Sequence, residues 1–173
     1  MKNSLLLIIA ILAFACSTPE ADYAEAEEAV DPNMEAFETN IETVKQLYNA
    51  FINKDFDGMR ALVTDDFIWS PPQYGMDSLT VDQWEEAMRG FMENYENIEY
   101  TDDLYFASLD ENQKPDGGVR TYGNWKSTYV PNGKPAAMKY YGVFIFNDEG
   151  KITTGLEWYN TADLVPADEE GDE

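Results

Sequence analysis

The chain has no histidine, so any acid–base chemistry must rest on its carboxylates, tyrosines or lysines. The same absence removes Ser-His-Asp and Cys-His nucleophile arrangements and the usual zinc and haem ligands. Two carboxylates are placed where they could do chemistry. Glu157 sits in the β-forming run Leu156-Glu157-Trp158-Tyr159, and Asp66 sits beside the short apolar run Phe67-Ile68-Trp69. A carboxylate held among aromatic rings has a raised pKa and can act as a general acid or base, whereas the same residue facing water is an ordinary strand glutamate. The acid pairs Asp65-Asp66 and Asp102-Asp103 lack the spacing of a calcium loop, and no glycine-rich phosphate loop is present. No metal, nucleotide or other cofactor is expected.

Glu157 must be positioned by a hairpin. Met138 to Phe146 is a run of β-formers that ends at Asn147-Asp148-Glu149-Gly150, and Lys151 to Tyr159 returns. Asn, Asp and Gly tolerate the positive φ that a short hairpin loop requires. Strand alternation leaves two registers open. In one, Met138, Tyr140, Gly142 and Phe144 face the interior with Gly155, Glu157 and Tyr159, and Ile152, Leu156 and Trp158 lie outside. A slip of one residue puts Leu156 and Trp158 inside and Glu157 in water.

Upstream the pattern is helical. Met34, Phe37, Ile41, Val44, Tyr48 and Phe51 recur at three- and four-residue steps and predict a helix from about 34 to 53, with Asn33 as N-cap. A second helix is expected over about 56–63, ended by Thr64-Asp65-Asp66, and Phe67-Ile68-Trp69 forms a short strand stopped by two prolines. Thr80 opens a third helix with Gln83 as its capping-box partner, and Val81, Trp84, Ala87, Met88, Phe91 and Met92 form its buried stripe. Strands follow at 100–109 and 119–130. The expected fold is α+β: three N-terminal helices packed on a curved, mainly antiparallel sheet.

The net charge is −23, from 34 acids and 11 bases. Residues 16–33 hold six acids and 166–173 hold five, leaving 23 acids and 10 bases between them. That balance argues against nucleic acid, whose affinity rests on Lys and Arg neutralising phosphates, and against electrostatic docking on an anionic membrane. Residues 1–15 read as a signal peptide. Lys2 precedes an uninterrupted apolar run of 11 residues, Leu5 to Ala15, too short to span a bilayer comfortably. Leu12-Ala13-Phe14-Ala15-Cys16 resembles a bacterial lipobox, which implies lipidation at Cys16 and anchoring at the cell envelope, on the outer membrane or the periplasmic face. Residues 16–33 then form an acidic tether, 34–165 the domain, and 166–173 a frayed acidic tail.

Three stretches carry a further resemblance: Leu47 to Trp69 (LYNAFINKDFDGMRALVTDDFIW), Tyr74 to Met88, and the hairpin with its Phe146-Asn147-Asp148-Glu149-Gly150-Lys151-Ile152 turn. Their order and spacing resemble the nuclear transport factor 2-like superfamily, which includes SnoaL-like polyketide cyclases and ketosteroid isomerases. The resemblance implies a cone-shaped α+β barrel enclosing one pocket, favours the register with Glu157 inside, and matches the isomerase tyrosine of helix one with Tyr48. It does not carry over the rest of that chemistry. Ser70 stands where the isomerase's basic carboxylate is expected, and Gly142 where its second oxyanion donor is expected. The cyclases' Asp–His pair is ruled out by the lack of histidine. An Asp–Arg–Asp set would need Arg120 in the pocket.

The candidate catalytic residues are therefore Glu157, Tyr48 and Asp66. The expected pocket lining is Trp69, Tyr74, Trp84, Tyr122, Trp125, Met138, Tyr140, Phe144 and Tyr159, drawn from an aromatic complement of 24 residues in 173. The sequence points to a lipid-anchored domain binding a small, mostly apolar molecule. An enzyme using a pocket carboxylate, or a protein dimerising through an apolar outer sheet face, is the alternative.

Overall fold

The computed structural model describes residues 31–166. The expected signal peptide, Cys16, most of the acidic tether and nearly all of the acidic tail lie outside them. Helix α1, Pro32–Ile52, is capped by Asp31, whose carboxylate accepts from the Asn33 amide at 2.9 Å. Asn33 is thus not the N-cap: Pro32 needs no amide partner and takes the first helical position, which moves the cap two residues earlier. Helix α2 is Phe56–Ala61 and strand β1 is Val63–Ser70. Asp65 and Asp66 therefore belong to a strand and not to a helix end. The helix stops early because Val63 enters the sheet beside Ile152.

A two-residue strand β2, Leu79–Thr80, leads into helix α3, Val81–Asn94, whose N-terminus carries the expected capping box between Thr80 and Gln83. Strands β3, Tyr95–Leu109, β4, Pro115–Tyr129, β5, Lys134–Phe146, and β6, Ile152–Trp158, follow, then a 3-10 turn at Thr161–Leu164. The six strands form one sheet in the order β2-β1-β6-β5-β4-β3, antiparallel except where β1 runs parallel to β6. The sheet curves without closing on itself, so the architecture is a cone whose open side is filled by helices and not a complete barrel. Bulges at three places in β3, where the ladder to β4 shifts register, bend it around α1.

The packed end of the cone is apolar and fully buried at Val44, Val63, Val119 and Ile152. Each such side chain removed from water contributes roughly 1.5–3 kcal/mol. Asn40 ties α1 to the sheet there, donating to the Gly117 carbonyl at 2.9 Å.

The hairpin between β5 and β6 follows the expected geometry. Asn147 Oδ1 accepts from the amides of Glu149 and Lys151, and Gly150 has φ +73°, where a side chain would be strained. The register pairs Gly142 with Glu157, Phe144 with Gly155 and Tyr141 with Trp158. One expectation fails. Ile152 is buried, not on the outer face, because the ladder skips from Ile145↔Thr154 to Phe146↔Ile152. The extra residue, Thr153, reverses the alternation below it.

Candidate functional site

The concave face of the sheet, with α1, α2 and α3 across it, encloses a cavity of about 100 Å³ measured to the centre of a water-sized sphere. That is several times the space one water needs. Its walls are aromatic and apolar: Trp84, Met88 and Phe91 from α3, Tyr48 and Phe51 from α1, Trp69 from β1, and Trp125, Met138, Tyr140 and Phe144 from the sheet. Trp84 packs against Phe67 with centroids 5.0 Å apart, and Trp125 against Phe51 at 5.5 Å. Lys126, Ala137 and Asp163 are exposed and mark the rim.

Among the described residues, Glu157 is the only carboxylate on the inner wall besides Asp163 at the rim. Tyr140 donates its hydroxyl to Glu157 Oε1 at 3.0 Å. This contact depends on a missing side chain. Tyr140 and Glu157 are not directly paired; Gly142 lies between them in the strand and opposite Glu157. A Cβ at Gly142 would stand 2.7 Å from the Tyr140 hydroxyl. Glycine thus leaves the space through which the ring leans toward Glu157. The space that Gly142 leaves is filled by the Tyr140 phenol, whose proton is directed to Glu157.

Burial pushes Glu157 up to about 7, against the weaker lowering effects of the Tyr140 hydroxyl and the Trp69 indole. Burial, and then the charge of Glu157, hold the Tyr140 phenol well above its ordinary value. Trp69 Nε1 faces Glu157 closely enough to favour its anion, yet makes no hydrogen bond of good geometry among the described residues. The Tyr48 hydroxyl is likewise buried without such a bond. Its ring lies against Tyr100 at 4.7 Å and Trp125 at 5.2 Å, and burial raises its pKa well above the ordinary range. Two buried polar atoms thus lack a well-formed hydrogen bond in a cavity that also holds a neutral-range carboxyl. Such atoms are costly to leave unsatisfied, and they are what a polar atom on a ligand would satisfy.

Of the residues expected from sequence, Glu157, Tyr48, Trp69, Trp84, Trp125, Met138, Tyr140, Phe144 and Tyr159 all line this cavity. Three do not. Asp66 is exposed on β1, because alternation there turns Phe67 and Trp69 inward. Tyr74 is fully exposed in the loop after Pro71-Pro72. Tyr122 lies on the outer face, where it stacks on Tyr141 at 4.6 Å. Arg120 also points outward, donating Nε to the Ala107 carbonyl at 3.0 Å, so no Asp–Arg–Asp set forms. The lining residues Phe51, Met88 and Phe91 were legible as helix stripes, but periodicity alone cannot separate a core face from a cavity wall. The Tyr140–Glu157 contact had one signal, the pairing of Gly142 with Glu157 in the favoured register. Among the described residues no group of three or more Cys, Asp or Glu is placed to hold a metal ion, and no helix is long and apolar enough to cross a membrane.

A curved sheet, three helices and one internal aromatic cavity define a nuclear transport factor 2-like cone. More narrowly, the chain belongs to the SnoaL-like domain family, which matches residues 44–154. Solved structures agree on the fold. A candidate isomerase from Bacillus subtilis superposes with a TM-score of 0.64 at 15% identity, covering 75% of this chain and 91% of that one. A candidate polyketide cyclase from Xanthomonas campestris pv. campestris gives 0.61 at 19%, covering 76% and 96%. The BvnE pinacolase from Penicillium brevicompactum gives 0.60 at 15%, covering 76% and 90%. Identities this low speak for the fold alone. Among curated proteins none matches the chain.

Proposed function

We propose that the protein is an envelope lipoprotein, anchored through Cys16, whose cone binds a small, mostly apolar molecule bearing one polar group. The observation that carries the reading is the Glu157 site: a carboxyl held at about 7, bonded to Tyr140 and facing Trp69 Nε1, which makes no well-formed hydrogen bond, in an otherwise aromatic cavity. The rings bury the body of the ligand, and the three polar side chains fix its orientation. Native mass spectrometry of the protein taken from its own cells tests this. A co-purifying small molecule, released by denaturation and reduced in Glu157→Gln, is the expected result; an empty wild-type protein at native expression contradicts it. A mass shift from acylation at Cys16, blocked by globomycin, tests the anchor.

A second reading is favoured by the same carboxyl. A group that is about half ionised near neutral pH serves as a general acid or base. Glu157 would take a proton from, or give one to, a ligand atom in the cavity, with Tyr140 donating to the carboxylate when it is charged. Neighbours carrying the names isomerase, polyketide cyclase and pinacolase make proton transfer on a small organic molecule the reaction class to assay. Turnover lost in Glu157→Gln with binding retained supports this reading over binding alone.

The outer face of the sheet supports a homodimer. Phe106, Tyr122, Tyr141 and Trp158 form a continuous aromatic row across β3 to β6, with centroid spacings of 5.8, 4.6 and 5.2 Å. Ile68, Leu104 and Ile145 extend it, each about half exposed. Sedimentation of the protein across a concentration series tests this, and a strictly monomeric species contradicts it.

A further inference from the structure

A second cleft opens on the other side of Tyr48, between α1 and β3. On the same measure it holds about 230 Å³, and Lys45, Tyr48, Asn49, Tyr100, Asp103 and Tyr105 line it. We propose that this cleft is a separate binding site for a neutral, multiply hydroxylated molecule, a sugar ring being the simplest example.

The cleft is shaped by a defined irregularity in β3. The ladder to β4 jumps from Thr101↔Asn124 to Leu104↔Tyr122, so Asp102 and Asp103 face the single residue Gly123. Asp102 holds φ +56°, a conformation that non-glycine residues rarely adopt, and its carboxylate accepts from Asn124 Nδ2 at 2.8 Å. That bond pins the bulge from the outer face, and the extra residue turns Asp103 toward α1. Burial and then the Asp103 charge raise the Tyr105 phenol, so the carboxylate stands close to that ring. Gly123 contributes too, since a Cβ there would overlap the Tyr100 ring. Tyr100 lies over the glycine instead and shares a hydrogen bond with Thr121 Oγ1 at 2.9 Å, forming the floor of the cleft.

The chemistry of the lining selects the ligand class. A wholly apolar molecule would strip water from Lys45, Asp103, the Asn49 amide and several phenols without replacing it. An anion would meet Asp103 and, beside Lys45, Glu42, which pairs with the ammonium at 2.7 Å. A cation would compete with Lys45, whose ammonium already stands 5.6 Å from the Tyr105 ring centroid. A neutral polyol meets none of these objections. Its hydroxyls can donate to Asp103 and accept from Lys45 and Asn49, while its C–H face lies on a tyrosine ring. The Tyr48 hydroxyl, buried without a well-formed hydrogen bond at the wall of the cleft, both donates and accepts. Tyr48 is the one residue the cleft shares with the main cavity, and Lys45, Asn49 and Asp103 belong to the cleft alone.

Saturation-transfer NMR on the full chain, with methyl β-glucoside, glucuronate and glucosamine as probes, tests the assignment. The glucoside should receive saturation at its ring C–H protons with a Kd of roughly millimolar order. Asp103→Asn, at an exposed position where folding is not at risk, should weaken it by about tenfold. Glucuronate and glucosamine should bind more weakly than the glucoside. Absence of transfer to the glucoside, equal binding in Asp103→Asn, or preference for either charged probe overturns the proposal.

Discussion

The two faces of the sheet are both aromatic, and they differ in what their aromatic residues do. On the convex face the rings of Phe106, Tyr122, Tyr141 and Trp158 contact one another, and all but the partly buried Tyr141 stay about half exposed. On the concave face Tyr48, Tyr100, Trp125 and Tyr140 meet at tilted and edge-on angles around a cavity. There two glycines, Gly142 and Gly123, leave space for rings to lean over the sheet. The same residue types make an adhesive surface on one side and a polarised pocket on the other. The difference comes from alternation along the strands and from where glycine interrupts it.

Substitutions that exchange the properties of the two faces test this contrast. The largest effect is expected at Trp84, buried on the concave side against Phe67. Trp84→Ala should cost about 3–5 kcal/mol in denaturant unfolding. Glu157 comes next, and its effect depends on pH. Its folded pKa of about 7 lies above the ordinary 4.5. Folding therefore favours the protonated acid. Its contribution is fully present below about pH 4.5 and is lost as pH rises through 7, and the whole span is about 3 kcal/mol at most. Glu157→Gln should match wild type near pH 4.5 and exceed it above pH 8, read as the difference between their unfolding free energies. Equal pH profiles would place Glu157 in water. Gly142→Val should cost about 1–3 kcal/mol by crowding the Tyr140 ring, and should abolish its bond to Glu157. On the convex face, Trp158→Ser should change monomer stability by less than about 1 kcal/mol, while lowering self-association in sedimentation. A large loss of monomer stability there would mean that the two faces are not distinct.

Much of this contrast was legible in the sequence. Amphipathic stripes and the Asn-Asp-Glu-Gly turn placed the helices and the hairpin, and the hairpin register brought Glu157, Gly142 and Tyr140 inside. What escaped depended on single-residue shifts. Asp66 lies outside the pocket because helix α2 ends two residues early, which turns the acid pair into strand residues that are both exposed. Ile152 was misplaced because one bulged residue, Thr153, reverses the pattern below it. Tyr122 and Tyr74 were assigned to the pocket by residue type. The register of β4 sends Tyr122 outward beside Tyr141, and Tyr74 stands fully exposed in the loop after the double proline. Composition shows that a chain is rich in rings but not which face they occupy.

The central claim is that the concave face holds a carboxyl which titrates near neutrality because it is buried among rings. Carbon-13 NMR of glutamate-labelled protein, with the Glu157 carboxyl assigned by its loss in Glu157→Gln, measures this directly. The account predicts a midpoint of about 7 in the wild type, moving upward in Tyr140→Phe, where the hydrogen bond that favours the anion is removed. A midpoint in the ordinary glutamate range, near 4.5, unchanged in Tyr140→Phe, would contradict it.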